Sequence, residues 1–159
     1  MFSQRRLLIP ALVAVLGVAA AVVWMSRETG EPVATTMPAD LDIAQGEQLY
    51  GDYCAACHGA NLEGQPDWRS AGPDGLLPAP PHDETGHTWH HTDSVLFDYT
   101  KLGGKAALAA QGVEFESGMP GFGEQLSDAE IWTILAYIKS TWPERERSAQ
   151  EERSAAAGR

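Results

Sequence analysis

The chain has two cysteines, Cys54 and Cys57, separated by two alanines and followed at once by His58. Thiols three positions apart on a helical turn face the same way, as two vinyl groups on one porphyrin edge require, and the adjacent imidazole can then reach beneath the iron. C-x-x-C-H is the attachment pattern of a c-type haem, with each thiol adding to a vinyl and the histidine binding the metal. The small Ala55 and Ala56 leave the turn uncrowded. Two other chemistries use paired cysteines. A thioredoxin-like disulfide belongs near a βαβ pattern, which is absent, and a zinc site needs further ligands where the chain has no third cysteine. The motif therefore points to one covalent haem c held by Cys54, Cys57 and His58.

An electron-carrying haem iron needs a sixth ligand, and Met119 is the only methionine within residues 40–142. It sits in Gly118-Met119-Pro120-Gly121-Phe122, where the glycines permit tight turns, Pro120 fixes the chain after the sulphur, and Phe122 can pack over a porphyrin. Without the upstream motif, an ordinary core methionine would be the reading; with it, Met119 is the expected iron ligand. A second cluster lies in the run from Pro81 to His91, which holds His82, His87, His90 and His91. Three readings apply to it. The loop is polar, its imidazoles and Trp89 capping helices or binding haem propionates; or two or more of the four hold a transition metal such as copper or zinc; or one replaces Met119 on the iron.

Three helical patterns position these residues, and no run shows the alternation of a half-buried strand, so an all-α fold is expected. The first starts with Asp42 as N-cap, carries Ile43, Gly46, Tyr50 and Tyr53 at helical spacing, and runs into the cysteine motif. The second begins after Thr92, presents Val95, Leu96, Tyr99 and Leu102, and stops at Gly103-Gly104. The third opens on a Ser127/Glu130 capping box, carries Ile131, Ile134, Leu135 and Ile138, and closes before Pro143. The Gly- and Pro-rich stretches from Gly59 to His91 and from Gly112 to Gly123 are too long for a compact domain unless a non-protein core supports them. A haem would be that core.

Outside this region, residues 1–6 carry Arg5 and Arg6, and the uncharged run Leu7 to Met25 would span roughly 29 Å as a helix, about a bilayer's hydrocarbon thickness. The positive-inside rule leaves the amino terminus in the cytoplasm and exports the rest. Residues 7–25 read either as a single-pass anchor in the cytoplasmic membrane or as a signal peptide cut near Ala19-Ala20-Ala21, which would leave a soluble periplasmic protein. Residues 26–39 read as a flexible linker, residues 40–143 as the folded domain, and residues 144–159 as a charged tail, disordered or a frayed helix. Residues 40–142 hold 16 Asp/Glu against 4 Lys/Arg. Such a surface repels nucleic acid and favours partners presenting Lys or Arg.

Together these residues resemble the class I monohaem cytochromes c, especially bacterial exported members, over about residues 42–143. The resemblance rests on Tyr53-Cys54-Ala55-Ala56-Cys57-His58-Gly59, on Leu126-Ser127-Asp128, and on Leu135-Ala136-Tyr137-Ile138-Lys139. It implies three to four helices around one haem, with Gly46 and Tyr50 crossing Ile134 and Tyr137. It also implies a proline whose carbonyl accepts a hydrogen bond from the ligand imidazole, Pro80 in preference to Pro78. The implied function is outer-sphere, single-electron transfer to redox proteins, with no bond broken. Two alternatives stay open: a cytochrome subunit of a larger oxidase or dehydrogenase, and a haem enzyme or sensor whose sixth ligand is displaceable.

Overall fold

The computed structural model describes residues 37–158. The expected anchor or signal segment at 7–25, and most of the linker after it, lie outside the described residues. Among the described residues there are six α-helices and no strand, and no helix is long and apolar enough to cross a membrane. The helices are α1 (Ile43–Tyr53), α2 (Ala55–His58), α3 (Asp93–Leu102), α4 (Gly104–Ala110), α5 (Asp128–Ser140) and α6 (Glu144–Ala157), with one 3-10 turn at Thr88–His90.

Local chemistry sets most boundaries. Asp42 accepts hydrogen bonds from the Ala44 and Gln45 amides at 3.0 and 3.2 Å, satisfying donors that the first turn leaves free. Thr92 caps α3 through the Val95 amide, and Ser127 and Glu130 form the reciprocal capping box of α5. The expected face of the second helix is corrected by the structure. Leu96, Phe97 and Thr100 are buried whereas Leu102 is exposed, because Phe97 stacks on Trp132 of α5 at 4.5 Å and turns the helix toward that ring. At Gly103 the backbone takes φ 85°, a left-handed value that glycine tolerates, and a further short helix, α4, starts immediately after it.

The core lies where α1 crosses α5, around Tyr50, Ile131, Trp132, Ile134, Leu135 and Ile138. Gly46 makes that approach close: a Cβ added there would lie 2.8 Å from the Tyr137 Cβ. One turn further along α1, the Tyr50 and Tyr137 rings meet at 5.5 Å. This is the crossing that the family resemblance implied.

The carboxy-terminal segment departs from expectation. The sequence predicts residues 144–159 as a disordered tail or frayed helix, yet Glu144–Ala157 is a regular helix with Gln150 fully buried. Polar contacts, not apolar ones, hold it. Gln150 donates to Asp93 Oδ1 at 2.7 Å, Ser154 Oγ accepts from the Asp93 amide at 3.0 Å, and Lys139 Nζ pairs with the same Asp93 carboxylate at 2.7 Å. Holding a buried carboxylate between an amide and an ammonium gives the helix a docking site without a hydrophobic stripe.

Candidate functional site

Helix α1 ends by handing the chain to the cysteine turn. The Cys54 amide still bonds to Tyr50 O at 2.9 Å, and the Cys57 and His58 amides bond back to Cys54 O at 3.1 and 2.9 Å, which winds the motif into one tight turn. Tyr50 then pins the exit, its hydroxyl donating to Gly59 O at 2.8 Å. Burial, with Cys57 adding to it, pushes the Cys54 thiol up to about 12. Disulfide exchange calls for the opposite, a depressed thiol.

His58 is buried, and its Nδ1 lies 2.8 Å from Pro80 O. A carbonyl only accepts, so Nδ1 carries the ring proton and Nε2 keeps its lone pair. Burial lowers the His58 pKa below the ordinary histidine range, against the opposing pull of the Pro80 bond. The ring is therefore neutral and competent to bind a metal at neutral pH. Gly64 donates its amide to His58 O at 2.7 Å and so ties the following loop to the motif.

Met119 sits on a separate loop strapped across the end of α3. Its carbonyl accepts from the Gly104 amide at 3.1 Å, its own amide bonds to Ser117 Oγ at 3.2 Å, and the Phe122 and Gly123 amides bond to Thr100 O and Lys101 O, both at 3.0 Å. Phe122 meets Tyr53 edge-on at 6.1 Å, linking the methionine loop to the helix that carries the cysteines.

Among the described residues no group of three or more His, Cys, Asp or Glu side chains is placed to hold an ion, so the structure lends no support to a transition metal at His82, His87, His90 and His91. Each imidazole has an aromatic partner. His87 stacks on Trp68 at 5.3 Å, His90 on Trp89 at 3.7 Å, and His91 faces Tyr99 at 6.3 Å. Trp89 bonds within its own loop, to Glu84 O at 3.3 Å. His82 lies face to face with His58 itself, at 4.0 Å between centroids and 19° between planes. Two imidazoles bound trans on one iron meet nitrogen to nitrogen across the metal, so this geometry does not suit His82 as a replacement for Met119. Burial, and next the neighbouring His58 and His87 rings, hold His82 well below the ordinary histidine range. Its packing on His58 is not visible in the sequence, where it reads as one of four equivalent loop histidines; its short distance from Pro80 is the signal available.

Two thiols on one turn, a neutral imidazole with a free Nε2 and a thioether on a well-tied loop form a donor set that fits haem c. A family model for cytochrome c matches residues 43–142. The chain is 29% identical over 129 residues to a thiosulfate dehydrogenase of Stutzerimonas stutzeri (strain A1501), covering 74% of this chain but only 36% of that protein. It is 28% identical over 99 residues to a cytochrome c6 of Diacronema lutheri, covering 62% of this chain and 95% of that one. No solved structure matches at a comparable level.

Proposed function

Since the chain belongs to the cytochrome c family, and so carries covalent haem c and transfers electrons, we propose that it is a single-electron carrier with His58 and Met119 as its two iron ligands. The observation that carries this reading is the His58–Pro80 hydrogen bond, which commits the Nδ1 proton and leaves Nε2 as the only lone pair on the ring. Haem c supplies reversible one-electron ferrous–ferric chemistry when bound. Around it, Cys54 and Cys57 hold the porphyrin edge to the end of α1. Pro80 orients the imidazole and raises its basicity as a ligand. The Gly104, Thr100 and Lys101 contacts keep the Met119 loop in register, and a filled sixth position excludes small ligands.

In this reading the domain works on the outer face of a bacterial cytoplasmic membrane, because the charge pattern of residues 1–25 directs the remainder of the chain across it. Its partners are redox proteins, and the acidic domain favours those with basic docking surfaces. Two spectra test the ligand set. The ferric protein should show an iron–methionine charge-transfer band, and the ferrous protein should not bind carbon monoxide; rapid carbon monoxide binding and peroxide turnover would instead mark an enzyme or sensor with an open position.

The similarity to a thiosulfate dehydrogenase favours a second reading, in which the domain serves a larger dehydrogenase. The chain spans about a third of that relative's length, so it would receive electrons rather than carry the whole activity. Co-purification with a thiosulfate-oxidising subunit, whose presence lets thiosulfate reduce the haem, would favour this second reading; a protein that purifies without such a subunit and stays oxidised in thiosulfate supports the carrier.

A further inference from the structure

The loop that offers the Pro80 carbonyl also places a flat ring against the ligand imidazole two residues later. We propose that His82 is a positioning residue for His58: its ring locks the imidazole plane and shields the Nδ1 proton. The proposal rests on His58 being the iron ligand.

A single hydrogen bond to Pro80 O fixes where Nδ1–H points but leaves the imidazole free to rock about that line. A second ring stacked on its face at 4.0 Å removes the rocking. His82 can do this because it is itself clamped at backbone and ring. Its amide donates to Leu62 O at 2.7 Å, and its carbonyl accepts from the Trp142 indole N–H at 2.7 Å. Its Nδ1 lies 2.8 Å from Thr88 Oγ1. Thr88 has one hydroxyl hydrogen, directed to Pro81 O at 3.3 Å, so Thr88 Oγ1 accepts and His82 Nδ1–H donates. Tyr50, which pins Gly59, closes the far side with its ring edge-on to His82 at 6.3 Å. The wall behind His58 thus joins the cysteine turn, the proline loop and the indole of Trp142. The plane of an axial imidazole sets the asymmetry of a low-spin ferric iron, so a locked plane has a spectroscopic signature.

The test uses the holoprotein with His82→Ala, His82→Phe and Thr88→Val. In His82→Ala the ferric electron paramagnetic resonance g-values should shift and broaden, and the His58 Nδ1 proton should exchange about tenfold faster. His82→Phe keeps the stack and should restore the narrow signal; Thr88→Val keeps the shape but cuts the clamp and should fall between them. Identical g-values and exchange rates in wild type and His82→Ala would overturn the proposal. If the alanine variant does not accumulate, an unshifted, unbroadened signal in Thr88→Val would do so. The underlying ligand reading fails separately, in the unmutated protein, if the His58 ring shows no paramagnetic shift.

Discussion

At the scale of single residues, the chemistry is divided between groups that bind and groups that hold them. Met119 is asked to fill the sixth position, so Met119→Ala should abolish the ferric charge-transfer band and let the ferrous protein bind carbon monoxide, read by absorbance. An unchanged band would remove Met119 from the iron. The histidine loop makes a second prediction. Burial, then the cations and imidazoles around them, lower the pKa of His87 (His90, Arg69) and of His91 (His87, His90, Arg153). A base with a depressed folded pKa takes up its proton first in the unfolded chain, so its contribution is complete above about pH 6.5 and declines as pH falls through that value. Melting temperature should therefore drop between about pH 7 and about pH 5.5, and His87→Asn with His91→Asn should lessen that slope while leaving the share that the more deeply buried His82 contributes; an unchanged slope in the double variant would assign it elsewhere. The haem-attachment motif is legible in the sequence because C-x-x-C-H is a local signal, and the proposal of Met119 starts from another, an isolated methionine. The stack of His82 on His58 is not, since it depends on how a loop of more than twenty residues folds back.

At the scale of elements, one glycine and one buried carboxylate decide the packing. Gly46→Ala drives a methyl into the Tyr137 Cβ and the Thr133 backbone at the crossing of α1 and α5. It should cost about 1–3 kcal/mol in denaturant unfolding, and a neutral substitution would mean that the helices are not in this contact. Asp93 and Lys139 are buried together, with side chains 9% and 11% exposed. Removing the carboxylate strands the ammonium and also frees Gln150 of α6, so Asp93→Ala should destabilise by about 3–5 kcal/mol and loosen α6 toward proteolysis. A protease-resistant α6 in that variant would contradict the account. Helices α1, α3 and α5 announce themselves through caps and apolar spacing. Helix α4 does not, being seven residues of Gly-Lys-Ala-Ala-Leu-Ala-Ala without a side-chain cap. Helix α6 is hidden for a different reason: its sequence is polar all round, and what orders it is a network whose other members, Asp93 and Lys139, are 57 and 11 residues upstream of Gln150.

At the scale of the whole molecule, a formal net charge of −11 is the property a partner meets first. Electron exchange with a basic partner should slow as salt rises from low to physiological levels, where screening shortens to about 8 Å. A salt-independent rate would mean that docking avoids the acidic surface. All of this depends on an iron gripped by His58 on one side and Met119 on the other, and proton NMR of the ferrous native protein reads that grip directly. With 13C-methyl methionine, one methionine methyl should lie far upfield in the porphyrin ring current and vanish in Met119→Ala. A native protein with every methionine methyl at an ordinary position would contradict the account.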